Sequence, residues 1–137
     1  MRYEIVDHTA DVGIRAFGKD LRELFSTAAY GMFHILADLG KVREAERTRV
    51  EARGEDLEEL LHEWLSELLY IYEVRELLFR RFDIEAIDQG RVSAICWGES
   101  RDLKRHRISR EIKSVTYHEL KVEKTAEGWV AEVIFDI

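Results

Sequence analysis

Two aspartates and a histidine fall within five residues, Asp7-His8-Thr9-Ala10-Asp11, and the last two residues are Asp136-Ile137. Clustered carboxylates repel one another and raise one another's pKa unless a cation neutralises them. A last strand that stops in the core would bring the α-carboxylate of Ile137 to a fixed place, whereas most termini fray. If the first and last strands are neighbours, Asp11, Asp136 and that terminal carboxylate converge. All-oxygen ligation favours a hard ion such as Ca²⁺ or Mg²⁺ over Zn²⁺. The plainer reading is that Asp7 and Asp11 shape a turn through Asx hydrogen bonds and that Asp136 points to solvent. Spacing alone favours the plainer reading.

The other reactive side chains offer less. His8 reads as a hydrogen-bonded loop histidine before a ligand or base. His34 and His62 lie in helical patterns, where packing explains them. His62-Glu63 begins like a zinc-protease helix, but the position four after His62 is Ser66, so the second ligand is missing. His106 sits in a basic stretch and is expected to be solvent-exposed. His118 follows a predicted strand with no geometry to give it a role. Cys96 lies in an apolar strand pattern with no activating group in sequence reach, which makes it a buried thiol rather than a nucleophile. Gly98-Glu99-Ser100-Arg101-Asp102 lacks the final glycine of a nucleophile elbow. No glycine-rich phosphate loop or dinucleotide fingerprint is present.

The elements that must position these groups follow from periodicity. Residues 2–7 and 12–18 alternate as strands, with the aspartate motif as the link between them. Leu21, Leu24, Phe25, Ala28, Ala29, Met32, Phe33 and Leu36 keep helical spacing over 21–36. Asp20 can cap this helix, with Glu23 reaching back. Residues 47–53 alternate as a strand with one wet face. Leu57, Leu60, Leu61, Trp64, Leu65, Leu68, Leu69 and Tyr72 mark a second helix. Strands are predicted at 82–86, 92–97, 112–117, 120–124 and 129–137, with a charged loop over 99–110. Val92 to Trp97 is apolar on both faces, as a central strand would be. The three tryptophans read as core. Each helix has one wide apolar stripe that must lie on something, most plausibly a sheet. The fold class is α+β: two amphipathic helices packed on mainly antiparallel sheet, a single domain over 1–137.

Composition sets the outer limits. The chain has 137 residues, 46% hydrophobic and 36% charged, which suits one domain and excludes disorder. No apolar run nears the ~18 residues a spanning helix needs, so no membrane partner is expected. Asp7, Asp11, Arg15 and Lys19 exclude a signal peptide from the first twenty residues. With a single cysteine the reducing cytoplasm is the simplest home. A net charge of −7 argues against gripping phosphate backbone with the whole surface. The charge is uneven: residues 55–76 are acidic and residues 101–113 basic, two faces that could steer a partner or simply be solvated. The chain has no Pro, no Asn and one Gln, a composition suited to heat.

Taken together, five blocks resemble the archease family. They are Asp7-His8-Thr9-Ala10-Asp11-Val12-Gly13-Ile14, Asp56-Leu57-Glu58, Trp64-Leu65-Ser66-Glu67-Leu68-Leu69-Tyr70, Glu111-Ile112-Lys113-Ser114-Val115-Thr116-Tyr117-His118 and Phe135-Asp136-Ile137. They occur in family order and span nearly the whole chain. The resemblance implies an activator of the RtcB-type RNA ligase of tRNA splicing and RNA repair, not a catalyst itself. Such a protein promotes guanylylation of the ligase histidine and restores multiple turnover. It also implies a metal site at Asp11, Asp136 and Ile137, and a functional Lys113. The implied cofactor is a divalent cation, Ca²⁺ first, with Mg²⁺ or Mn²⁺ as alternatives. The resemblance reverses the preference for a mere turn at Asp11. Ser114 stands where alanine is expected and Ser66 where asparagine is common; neither touches the implied site.

Two rival classes remain. A chaperone-like binding module for RNA-modifying enzymes would use the charged faces and ignore Asp11 and Asp136. A metal-dependent phosphoesterase would turn over a phosphate ester unaided and lose activity on chelation. Contact with tRNA or other RNA, direct or through the ligase, is left open.

Overall fold

The computed structural model describes residues 1–137. The strands are β1 (Arg2–Asp7), β2 (Asp11–Gly18), β3 (Glu46–Arg53), β4 (Leu77–Ile87), β5 (Arg91–Ser100), β6 (Ser114–Val115), β7 (Lys121–Thr125) and β8 (Gly128–Asp136). The helices are α1 (Leu21–Leu36) and α2 (Leu57–Arg75). The strands form two sheets, β1-β2-β8-β6 with β7 also paired to β8, and β3-β5-β4. Every pairing is antiparallel. The α+β class read from the sequence holds, and β5 is central as its two apolar faces required.

Both helices lie between the sheets and touch elements of each. Val12, Ile14 and Ala16 of β2 and Ala131, Val133 and Phe135 of β8 turn one face inward. Val50, Ala94, Cys96 and Phe82 do so from the smaller sheet. The predicted stripe of α1 therefore supplies seven of its ten buried residues. Thr27, Gly31 and Ile35 are buried as well. Gly31 lets α1 approach the larger sheet: a Cβ there would meet the Tyr3 ring at 3.3 Å and Ile14 at 3.6 Å. Small residues carry little hydrophobic signal, which is why periodicity reports one face where the helix has two.

Both helices start as their sequences dictate. Asp20 accepts from Glu23 N at 2.9 Å, and Asp56 accepts from Glu59 N at 2.8 Å. In each, the glutamate reaches one residue further back than a capping box, to Lys19 N and Glu55 N. The end of α2 is tighter than read: Glu76 adopts the left-handed region (φ 54°) and β4 begins at Leu77. A single residue thus turns helix into strand, and β4 and β5 are both longer than alternation indicated.

Three expectations need correction. Only Trp64 is a core tryptophan, fully buried with its Nε1 donating to Phe25 O at 3.0 Å. Trp97 and Trp129 are half-buried, because each sits where its sheet meets solvent. The strand at 112–117 shrinks to two residues, since Lys113 N and Thr116 N reach β8 but the segment then leaves the sheet.

The third correction is His106, which is 3% exposed. Its Nδ1 accepts from Asp102 N at 2.8 Å, so Nε2 carries the proton and donates to Glu99 at 2.9 Å. Arg105 donates to both oxygens of Glu99, at 3.0 and 2.8 Å, and Arg43 N adds 2.8 Å. These partners, Arg105 foremost, hold the Glu99 carboxyl down to about 2 from its ordinary 4.5. The cluster pins the basic segment after β5 against the body. Because the folded pKa of Glu99 lies below its unfolded value, its stabilisation is full above 4.5 and is lost as pH falls toward 2. Glu99→Gln is expected to cost about 2–3 kcal/mol at pH 7. In urea titrations across pH it should also flatten the acid limb of stability; an unchanged limb would assign acid sensitivity elsewhere.

Candidate functional site

The aspartate motif is the hairpin between β1 and β2, closed by His8 N donating to Asp11 O at 3.1 Å. No Asx bond shapes it. Asp7 instead accepts from Arg110 Nη1 at 2.6 Å, tying the hairpin to the basic segment. Asp11 Oδ1 is buried without any hydrogen-bond partner. A buried carboxylate oxygen left unpaired is costly and uncommon. The turn-shaping reading of this motif therefore fails for both aspartates.

Asp11 opens β2, and its cross-strand partner is Asp136 of β8. The convergence runs through β2 rather than β1, which has no contact with the last strand in the ladder order. Directly opposed residues in an antiparallel pair have Cβ atoms about 4.5–5.5 Å apart, on one face. That face is the outer one, since Val12 and Phe135, one step along each strand, are buried. Asp136 is exposed, and Ile137 packs partly against the core. Lys113 N donates to Asp136 O at 2.7 Å, and Ser114, expected to lie clear of the site, is instead the cross-strand neighbour of Asp136 on the other side. The Lys113 side chain is exposed and forms no ion pair. Asp11, Lys113, Asp136 and Ile137 are thus one neighbourhood at one end of the larger sheet.

The remaining candidates lie elsewhere. His8 is exposed. His34 Nδ1 meets the Tyr3 hydroxyl at 2.6 Å. His62 Nε2 donates to Val115 O at 2.9 Å, and its ring stacks on Tyr117 at 3.8 Å. His118 is 71% exposed. Cys96 is fully buried, and burial pushes its thiol well above the usual range, as a structural cysteine requires. Half of the basic segment is spent internally, on Arg101–Glu76, Arg105–Glu99 and Arg110–Asp7 pairs. The part sequence reasoning missed is the clamp of Arg110 on Asp7, for which a separation of 103 residues leaves no local signal.

No group of three or more His, Cys, Asp or Glu side chains is close enough to hold a metal ion. The implied ligand set has only two side-chain carboxylates and draws its third from the main chain. The orphaned Asp11 Oδ1 beside Asp136 fits a cation; a soft-metal cage it is not.

Such a molecule belongs to the small α+β proteins that display a carboxylate pair at a sheet end rather than inside a cavity. The chain belongs to the archease family: the model of the Archease protein family (MTH1598/TM1083) matches residues 3–137. It is similar to protein archease of Methanosarcina acetivorans, 44% identical over 99% of this chain and 96% of that one. Protein archease of Pyrococcus abyssi is 41% identical over 99% of both. The solution structure of protein 1598 of Methanobacterium thermoautotrophicum superposes with a TM-score of 0.86 at 36% identity, over 98% of each chain. The archease of Thermotoga maritima, described as a possible chaperone, shares the fold with a TM-score of 0.62 at 20% identity, over 100% of this chain and 98% of that one.

Like charges directly opposed across a ladder destabilise it by roughly 0.2–1 kcal/mol. In chelated buffer, Asp11→Asn or Asp136→Asn is expected to raise thermal stability by that order. A fall in melting temperature for both would mean that the two carboxylates are already compensated within the free protein.

Proposed function

We propose that this chain is a protein activator of an RtcB-type RNA ligase, promoting transfer of guanylate from GTP to the ligase histidine and sustaining multiple turnover. The observation that carries the reading is the pair Asp11 and Asp136, set at an exposed sheet end with one carboxylate oxygen unsatisfied. Family membership supports the ligase as the partner that the archease resemblance implies. Asp136, exposed at this end, can meet another protein's nucleotide pocket directly, with the half-buried Asp11 beside it. Asp11 and Asp136 would then place negative charge against that pocket's metal or its histidine. Lys113 would offer its ammonium to phosphate or to a ligase carboxylate. A divalent cation held by Asp11, Asp136 and the Ile137 carboxylate, Ca²⁺ first and Mg²⁺ or Mn²⁺ otherwise, would supply charge neutralisation to phosphate oxygens. The Arg110–Asp7 pair links the hairpin to the basic segment, an exposed contact that adds little rigidity by itself.

The decisive assay follows covalent guanylate on a matched ligase, with this chain at substoichiometric dose. Wild type is expected to accelerate guanylylation over many turnovers. Asp11→Ala and Asp136→Ala should abolish the effect with melting curves intact, and Lys113→Ala should weaken it. Normal activation by both aspartate variants would leave the chaperone-like reading standing in its place.

Binding to the folded state alone stabilises by about 2.7 kcal/mol at a hundredfold excess over Kd. Ca²⁺ titration is thus expected to raise the melting temperature of wild type. It should not do so for Asp11→Asn, nor for a chain extended by one glycine after Ile137. An equal response in all three would remove the cation from the proposal.

A further inference from the structure

The outer face of the larger sheet, which no helix covers, carries two adjoining depressions. The larger is an open cleft of about 650 Å³ at the far end from Asp11, lined by Arg2, Arg15, Phe17, Lys19, Lys121 and Trp129 among others. The smaller, about 140 Å³, is lined by Val6, His8, Gly13 and Ile134, and it shares Arg15 and Glu132 with the larger. The Arg15–Glu132 pair is the ridge between them, with Nε to Oε1 at 2.7 Å. Gly13 opposite Ile134 keeps the smaller depression low, and it leads to the Asp11–Asp136 end. From Phe17 to Asp11 the trough follows β2 for roughly 20 Å.

The cleft inverts the charge of the molecule. In a chain of net charge −7 it gathers four cations. Of its three acids, Glu132 is paired with Arg15, while Glu23, bonded only to Lys19 N, and Glu127 keep their charge, so the cations outnumber the acids by one. Lys121 meets Glu123 at 3.3 Å in an exposed pair, a contact of little worth. Arg2 and Lys19 have no carboxylate partner. The Arg2 guanidinium lies 3.8 Å over the Phe17 ring, so it presents a flat cationic plane above an aromatic one. Trp129 borders the cleft, but opposite Gly18 it shares the inward parity of Ala131 and Val133, and it packs partly on the core.

Flat cationic and aromatic surfaces with free ammonium and guanidinium groups on an open antiparallel sheet match one ligand chemistry, bases to stack and phosphates to pair. The cleft is open along the face, so a polymer fits it better than a free nucleotide. We propose that this face binds single-stranded RNA, with a base stacked on the Arg2 guanidinium that Phe17 supports from below, and phosphates on Lys19 and Lys121. The strand would be laid along the trough toward Asp11 and Asp136. Only the choice of RNA over DNA rests on the ligase reading above.

The test is fluorescence anisotropy of a labelled single-stranded RNA of about ten nucleotides against the full chain, without ligase. Wild type is expected to bind at about 50 mM salt and to weaken steeply by 200 mM. Arg2→Ala combined with Lys19→Ala should lose roughly tenfold in affinity and flatten the salt slope, which is about 0.7 per phosphate for single strands. Phe17→Ala should weaken binding at every salt concentration with the slope unchanged. Lys104→Ala combined with Arg107→Ala, two exposed basic positions in the 101–113 segment, should bind as wild type. Absence of binding at low salt would overturn the proposal. So would equal loss in both double variants, or duplex RNA binding as well as single-stranded. Because the ligase is absent, failure here leaves the activation reading untouched, and failed activation leaves this result standing. Single-stranded DNA binding as tightly would keep the face and withdraw its assignment to RNA.

Discussion

An eight-rung antiparallel ladder joins β2, near the start of the chain, to β8, its last strand. Side chains alternate with a period of two, so sliding that ladder by one residue would turn every side chain of one strand to the wrong face. Val12, Ile14 and Ala16 lie opposite Phe135, Val133 and Ala131, and all six are buried. Any slip exposes one of these apolar triplets. The core therefore sets the register, and the register sets Asp11 against Asp136. A repulsive pair of carboxylates is tolerated because many apolar contacts elsewhere on the same two strands outweigh it. Function on the outer face is held in place by packing on the inner one.

The two outer faces of the molecule are built differently. The smaller sheet pairs its charges closely: Arg49 with Glu85 and Glu51, Arg91 with Glu51, Arg81 with Glu44 and Asp83. Such a face is self-satisfied and has little to offer a partner. Its β4 edge is also blunted, with the carbonyls of Phe82 and Ile84 accepting from Ser26 and Arg22 of α1. An edge with its acceptors occupied resists pairing with another chain. The larger sheet leaves Arg2, Lys19, Lys113 and Asp136 without such partners. Availability for interaction is thus concentrated on one side.

Much of the architecture was legible because it rests on local rules. Asp20 was readable as a helix cap from its own short pattern, and Val92 to Trp97 could only be central. The second buried side of α1 was hidden because Thr27 and Gly31 pack by being small. His106 was misread because its burial depends on Glu99 and Arg105 folding over it, a tertiary arrangement with no periodic trace. The site was legible only in part. Spacing showed that Asp7 to Asp11 forms a link, yet nothing local reveals that Asp11 lacks a hydrogen bond or that its partner lies 125 residues away. Family motifs supplied the grouping that spacing could not.

The distance between the two halves of the carboxylate pair has a consequence for biosynthesis. β2 leaves the ribosome before both helices, whereas β8 follows every other element of the fold. Until it arrives, β2 has only β1 to pair with, and a two-stranded hairpin is marginal in water. The larger sheet cannot close, and Asp11 cannot meet Asp136, on any chain that stopped early. The functional end is in effect a record that β8 has docked, absent from any product that lacks that strand.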